Sequence, residues 1–359
     1  MSRDETAPTA PDRIESLDQF RGYTVAGMFL VNGLSRFAVV PAILKHHNTY
    51  CSYADTIMSQ FFFAVGFAAR LTLLRRIERS GPRAAYGHAL SRVLGLLLLG
   101  FVVYHFHGEA KTWSDLKTLG LAGFLQSAFL GEYFQTLVHI AVTSAWVLPV
   151  LAAGPGIRLA WLVGSAAAHF GLSRWWYYGW VTTQRNIDGG PLGFLTWTIP
   201  VLVGSFAYDI VASHRRGVTL RLLLIGSILM AIGYGLTCVD GQPDALPFFP
   251  PIGPVNGLTM SQRAGTVSYQ TFAAGFAMAV YAIFYLASDV GRLRIGVFRT
   301  LGRNALAAYL LHPMVASAFA PYLPKDSPAW FVAVGFALEF GLTYLFLRYM
   351  EKHQLFLRL

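Results

Sequence analysis

Charged residues are scarce in this chain: Asp, Glu, Lys and Arg make up 13% of its 359 residues, against 55% apolar ones. A soluble domain carries roughly a quarter charged residues. The deficit and the long uncharged runs therefore exclude an ordinary soluble protein and indicate a polytopic membrane protein. Cysteine is nearly missing: Cys51 and Cys238 are the two in the chain, which excludes a disulfide framework and a Cys-based metal site. Residues 1–19 are polar, with no charged-then-apolar signal-peptide pattern. They read as a cytoplasmic tail, and residues 20–359 as one transmembrane domain. No GxxxxGK[ST] phosphate loop and no HExxH pair occurs, so neither a nucleotide hydrolase nor a metalloprotease is indicated and no metal is expected. The net charge of +10 would suit nucleic acid in a soluble protein. Here no basic cluster with interleaved aromatics stands in a soluble segment, so no nucleic-acid partner is expected.

What the chain has in abundance is apolar runs of the length a helix needs to cross the hydrocarbon core, about 20 residues. Ten are found, at 21–42, 56–76, 89–107, 125–151, 157–177, 191–212, 218–238, 267–288, 297–317 and 328–349. The expected fold is all-α, with lipid as its surroundings and no β-barrel, whose alternating strands are far shorter. Lys and Arg set the orientation. Arg70, Arg75, Arg76, Arg79, Arg83 and Arg92, then Arg215, Arg216 and Arg221, then Arg292, Arg294, Arg299 and Arg303 fall on the side of the N-terminus. That makes the chain N-in and C-in, and the expected location is the cell (inner) membrane. Segment 239–265, rich in Pro and Gly, is the longest outer connection and has room for a re-entrant piece. Cys51 and Cys238 both fall outside, which leaves a disulfide open, and a homodimer is left open too.

Polar groups inside or beside a bilayer are costly, and each is a candidate for function. The first 70 residues concentrate them: Ser16-Leu17-Asp18-Gln19-Phe20-Arg21-Gly22, then Asn32 within the first span, then His46-His47 and Asp55 at its far side. A histidine oriented by a carboxylate is the usual arrangement for a base or nucleophile. Further outer candidates are His105, His107, Glu109, Arg185, Asp188, Asp240, Asp244 and His312. Within spans stand Gln126, Glu132, His139 and His169; the two histidines fit a role bonding neighbouring helices. At the inner face Asp18 and Arg21 are spaced to pair on one helix. With Arg303-Asn304 they also suit a mouth that accepts a phosphate-bearing molecule, since the guanidinium fork matches phosphate. Trp175, Trp176, Tyr177, Tyr178 and Trp180 fit either a sugar-stacking surface or an interfacial aromatic belt.

Ser16 to Gly22, then Met28 and Val31-Asn32, then a His followed by an aromatic residue and an Asp, resembles the opening of the heparan-α-glucosaminide N-acetyltransferase family and its bacterial relatives. Gly123-Phe124-Leu125-Gln126, Asp188-Gly189-Gly190 with Gly204, Thr266-Val267-Ser268-Tyr269 with Ala274-Gly275, and Leu301-Gly302-Arg303-Asn304 through Tyr309 to His312 extend the resemblance over about residues 13–317. It implies a transmembrane acetyltransferase, with cytoplasmic acetyl-CoA as donor and an amino sugar or other glycan as acceptor outside. It further implies a catalytic histidine in the first outer loop with the Asn nearby. Asn32 carries over. His47-Asn48-Thr49-Tyr50 keeps the family's His-x-x-aromatic spacing with Tyr for Trp, which favours His47 over His46, with Asp55 to orient the ring. Arg21 and Arg303, with Asp18 and Asn304 beside them, are then the donor-side candidates, and Trp175, Trp176, Asp188 and His312 the acceptor-side ones. The alternative is a proton-coupled transporter or flippase of a polar solute, with Glu132 and the histidines as relay; it would favour repeated halves with broken helices, which the chain does not display.

Overall fold

In the computed structural model the described residues are 14–47, 49–104, 110–127, 133–183, 188–213, 216–239, 246–250 and 255–357; they form helices and loops, with no strand among them. Five helical stretches are long and apolar enough to cross a membrane: Tyr53–Val103, Gly190–Ala212, Val218–Cys238, Val267–Val290 and Ala329–Lys352. Their outward faces expose large apolar side chains, such as Leu220, Leu224 and Ile228 on one helix and Leu338, Leu342 and Leu345 on another. Lipid would cover such faces; water would not.

Helix α1 (Glu15–Leu34) begins earlier and ends earlier than the apolar run suggests, because the chain turns at Ser35 and leaves 35–41 as loop. Helix α2 (Tyr53–Val103) starts from a reciprocal cap, in which Asp55 N donates to Ser52 Oγ at 3.2 Å and Ser52 N donates to Asp55 Oδ2 at 2.9 Å. It merges two expected spans, and its backbone breaks at Gly81 (φ 80°), just before Pro82. There follow α3 (Trp113–Ser127), α4 (Thr136–Leu151), α5 (Pro155–Leu172), α6 (Tyr178–Thr183), α7 (Phe194–Ala212), α8 (Val218–Cys238) and α9 (Val267–Phe284). The chain closes with α10 (Gly296–Arg303), α11 (Ala305–Phe319) and α12 (Ala329–Lys352). The single span expected at 297–317 is thus two helices parted at Asn304, and the run expected from 125 is helical to Ser127 and again from Thr136. The residues His105, His107, Glu109, Glu132, Arg185, Asp240 and Asp244, and the Gln126 side chain, lie outside the described set.

Glycines set how closely the helices approach. A Cβ at Gly22 of α1 would collide with the Phe298 carbonyl of α10, and one at Gly302 with the Asp18 carbonyl of α1. Gly66 and Gly204 do the same for α2 against α7, and Gly226 and Gly275 for α8 against α9. Small residues at such crossings let backbones touch, which is the packing a lipid environment rewards. The N-terminus of α1 is fastened to the π turn Tyr285–Val290 that follows α9: Ser16 N and Oγ donate to Asp289 at 3.0 and 2.6 Å. Gln19 Oε1 accepts from Ile295 N at 3.2 Å.

Two buried arginines share the half-buried carboxylate of Asp209. Arg70 of α2 donates to Asp209 of α7 at 2.8 Å and to the α4-terminal carbonyls of Leu151 and Ala153 at 2.5 and 3.2 Å. Arg158, fully buried at the start of α5, also pairs with Asp209 and donates to Ser205 Oγ at 2.8 Å. Cys51 and Cys238 are both free thiols, so the disulfide that the outer placement left open does not form.

Gly22→Ala and Gly302→Ala are each expected to lower the thermal unfolding temperature, at a cost of ~1–3 kcal/mol for overpacking. Gly87→Ala, in open space on α2, should be neutral or slightly stabilising. Thermal unfolding in detergent compares the three; equal temperatures throughout would contradict the close crossing.

Candidate functional site

The α1 face carrying Arg21, Met28 and Asn32, at spacings of seven and four, looks into a cavity of about 1100 Å³. Helices α2, α4, α10 and α11 complete its walls, and Ala54 and Arg76 of α2 both line it. Those two residues are roughly 33 Å apart along a continuous helix at 1.5 Å per residue, about the thickness of a hydrocarbon core.

One end is basic. Arg21, Arg76, His88, Arg92 and Arg303 line it, with Gln354, Phe356 and Leu357 from the C-terminal segment. The charges of Arg21 and Arg92 repel each other, and those of Arg76 and Arg92 act on His88, so these groups form one cluster. Arg303 is aimed by Glu351 of α12, to whose Oε1 it donates at 3.1 Å; Thr300 and Arg348 hold that carboxylate at 2.7 and 2.8 Å. Met28, Ile57, Met58, Phe61, Val65 and Leu96 give the cavity an apolar middle.

The other end holds the histidines. Asp55 sits in the first turn of α2, where the cap fixes it: Oδ2 accepts from Ser52 N and Ser52 Oγ, each at 2.9 Å, and from His47 N at 3.4 Å. Oδ1 is left to meet His46 Nδ1 at 3.0 Å. Gln262 Oε1 is 3.3 Å from the same nitrogen, and Gln262 Nε2 donates to Asp188 Oδ1 at 2.7 Å. His46 Nε2 carries no hydrogen bond among the described residues, and the side chain is 46% exposed toward the cavity it lines. A carboxylate on Nδ1–H makes Nε2 the bare nitrogen, the one able to take a proton or attack a carbonyl.

Charge follows from these contacts. Burial opposes charging His46, but the bond and charge of Asp55 and the charge of Asp188 outweigh it and hold the ring above its usual 6.5. Burial pushes the Asp188 carboxyl up to about 6, against the pull of Gln262 and His46, with the Asp55 charge adding to the rise.

The sequence candidates divide accordingly. Arg21, Asn32, His46, His47, Asp188 and Arg303 line the cavity, and Asp55 is buried directly behind His46. The preference for His47 is not matched by the geometry. Its backbone, not its ring, reaches Asp55, while the ring stacks on Tyr50 at 4.3 Å and Nε2 donates to the Ala42 carbonyl at 2.8 Å. Adjacent side chains point apart, and the spacing rule could not tell which one turns toward Asp55. Asp18 is buried away from the cavity, where its carbonyl meets Gly302, and Asn304 spends its amide on the Thr300 carbonyl at 2.9 Å in the break between α10 and α11. His312 is buried outside the cavity, stacked on Phe29 at 4.5 Å and 3.3 Å from Glu339. Trp175 and Trp176 are exposed, 81% and 45%, in the π turn Ser173–Tyr177. Neither lines the cavity.

Sequence reasoning missed Gln262, and it missed Arg76, His88 and Arg92 as cavity residues. The three basic groups look like ordinary inner-loop charge. Gln262 comes from the long Pro/Gly segment, whose stretch 256–266 folds into the bundle and satisfies itself: Asn256 Oδ1 accepts from Leu258 N and Thr259 N at 2.8 and 3.1 Å, and Thr266 Oγ1 donates to the Thr259 carbonyl at 2.8 Å. Close contact of Gly189 with Gly265, and a bond from Gly189 N to the Arg263 carbonyl at 3.0 Å, bring this stretch against Asp188. Among the described residues no group of His, Cys, Asp and Glu is arranged to hold a metal ion.

Because Asp55 serves both the cap and the ring, Asp55→Ala is expected to destabilise the protein more than Ser52→Ala, whose loss of a cap costs ~1 kcal/mol. Thermal unfolding of the two variants checks the order, and the reverse order would contradict it. Comparison of the chain with family models and with curated proteins found no match.

Proposed function

We propose that the protein moves an acetyl group from cytoplasmic acetyl-CoA to an amino sugar or other glycan acceptor on the far side of the inner membrane. In this reading the chain crosses the bilayer about ten times, by α1, the two halves of α2, α4, α5, α7, α8, α9, α10 with α11, and α12, with both ends inside. The observation that carries it is one cavity of about 1100 Å³ with arginines at one end and a carboxylate-backed imidazole at the other. The basic end suits the phosphates of CoA, with Arg21 and Arg303 joined by Arg76, His88 and Arg92. The apolar middle suits the pantetheine arm.

His46 is the acting residue in this proposal. Its bare Nε2 takes the proton from the acceptor amine or hydroxyl as that group attacks the acetyl carbonyl, and the departing CoA sulfur takes the proton up. A transient acetyl-imidazole on Nε2 uses the same geometry. Asn32, exposed to the cavity on α1, donates to the oxygen as it gains charge, a role whose loss costs roughly 10²–10³ in rate.

The test is thiol release by the purified protein with acetyl-CoA and a panel of amino sugars. Wild type should release CoA with at least one acceptor, His46→Ala should not, and His47→Ala should retain most of the activity. No release with any acceptor would sink the acetyl-transfer reading, and a dead His47→Ala beside an active His46→Ala would reverse the assignment. Because the base must be neutral and its pKa is held above 6.5, kcat/KM should fall as pH drops, with its midpoint above that value. A midpoint below 6.5 would contradict the role of Asp55.

A further inference from the structure

We infer that Gln262 is a positioning residue, whose amide, held by the Asp188 carboxylate, fixes the plane and tautomer of His46. The inference rests on the reading of His46 as the acting base. An ionised carboxylate only accepts hydrogen bonds and an amide carries one accepting and one donating side. Asp188 Oδ1 faces Gln262 Nε2 at 2.7 Å, so the donating side is committed there. The accepting side then faces His46 Nδ1 at 3.3 Å, and that nitrogen must carry the proton. Asp55 alone would hold the ring by one bond, about which it could swing. Two acceptors on Nδ1–H, one from α2 and one from the 256–266 stretch, pin the ring plane and aim Nε2 into the cavity.

The parts are built for the purpose. Asp188 is buried, and its backbone is in the left-handed region (φ 61°), which few residues other than glycine adopt. Its carbonyl accepts from Trp197 Nε1 at 2.7 Å, which anchors it to α7. Gln262 is buried beside it. The titratable groups facing this pair are His46 and Asp55, with Tyr104, Tyr269 and Tyr309 within reach of the Asp188 charge and Tyr50 and Cys51 within reach of Asp55. His47 and Arg263 line the same end. Gln262 links the second carboxylate to the ring.

The test reads His46 without relying on turnover. Full-length protein is treated with diethyl pyrocarbonate across a pH series, and modification of His46 is followed by tandem mass spectrometry, with His47 as internal reference. The bare nitrogen reacts, so the midpoint reports the charge on the ring. Asp188→Asn and Gln262→Leu should move the midpoint down by about half a unit or more, and Gln262→Glu, which brings a new negative charge to the ring, should move it up. The acid limb of any thiol-release activity should move the same way, with a lower kcat and a smaller change in KM. Unmoved midpoints in variants that unfold at the wild-type temperature would overturn the inference. Should one variant fail to fold, each of the other two still carries its own expected direction of shift. Moved midpoints without thiol release would uphold the positioning role and refute acetyl transfer; release with unmoved midpoints would do the opposite.

Discussion

The carboxylate of Asp55 joins the fold to the chemistry. A buried charge is tolerable only where hydrogen bonds surround it, and here the cap of α2 supplies them. One oxygen takes the Ser52 amide and hydroxyl, which start the helix, and the other is thereby turned to His46. The histidine is accordingly oriented by a helix terminus and not by a flexible loop. Tyr269 of α9 adds a bond to the Asp55 carbonyl at 2.6 Å, so the cap is also tied to the centre of the bundle.

The remaining architecture keeps a long polar-ended cavity open inside an otherwise apolar bundle. Glycine contacts draw α1 to α10 and α2 to α7 at backbone distance, so the volume is left between these pairs and not within them. The charge at the basic end is held in place by its own carboxylate, Glu351, which aims Arg303 while leaving the other arginines to line the wall. Like charges gathered around one mouth repel, and an anionic ligand would relieve that repulsion.

Much of this was legible in the residues, and the failures have physical causes. The apolar runs announce helices, and the gap between the runs at 56–76 and 89–107 holds the break of α2 at Gly81. Boundaries moved where a run of apolar residues leaves the helix, as after Leu34, or where a helix begins within a run, as at Thr136. The segment Ser16 to Gly22 looked functional as a whole, yet it divides by helical face. Ser16, Gln19 and Gly22 bind the α9–α10 region and Arg21 alone lines the cavity. His46 and Gln262 were hard to assign because adjacent residues in loops carry no periodicity to say which way each side chain turns. The partners of Gln262 come from residues far apart in the chain, and no local pattern brings them together.

If, as proposed, a group passes from the basic end of the cavity to His46 across the membrane, donor and acceptor never need to share a compartment. The most direct measurement uses proteoliposomes with acetyl-CoA sealed on the side of Arg21 and Arg303 and a membrane-impermeant amino sugar on the side of His46. Acetylated sugar is expected outside and free CoA inside, both lost in His46→Ala. Product formed only when donor and acceptor share one compartment would contradict the proposal.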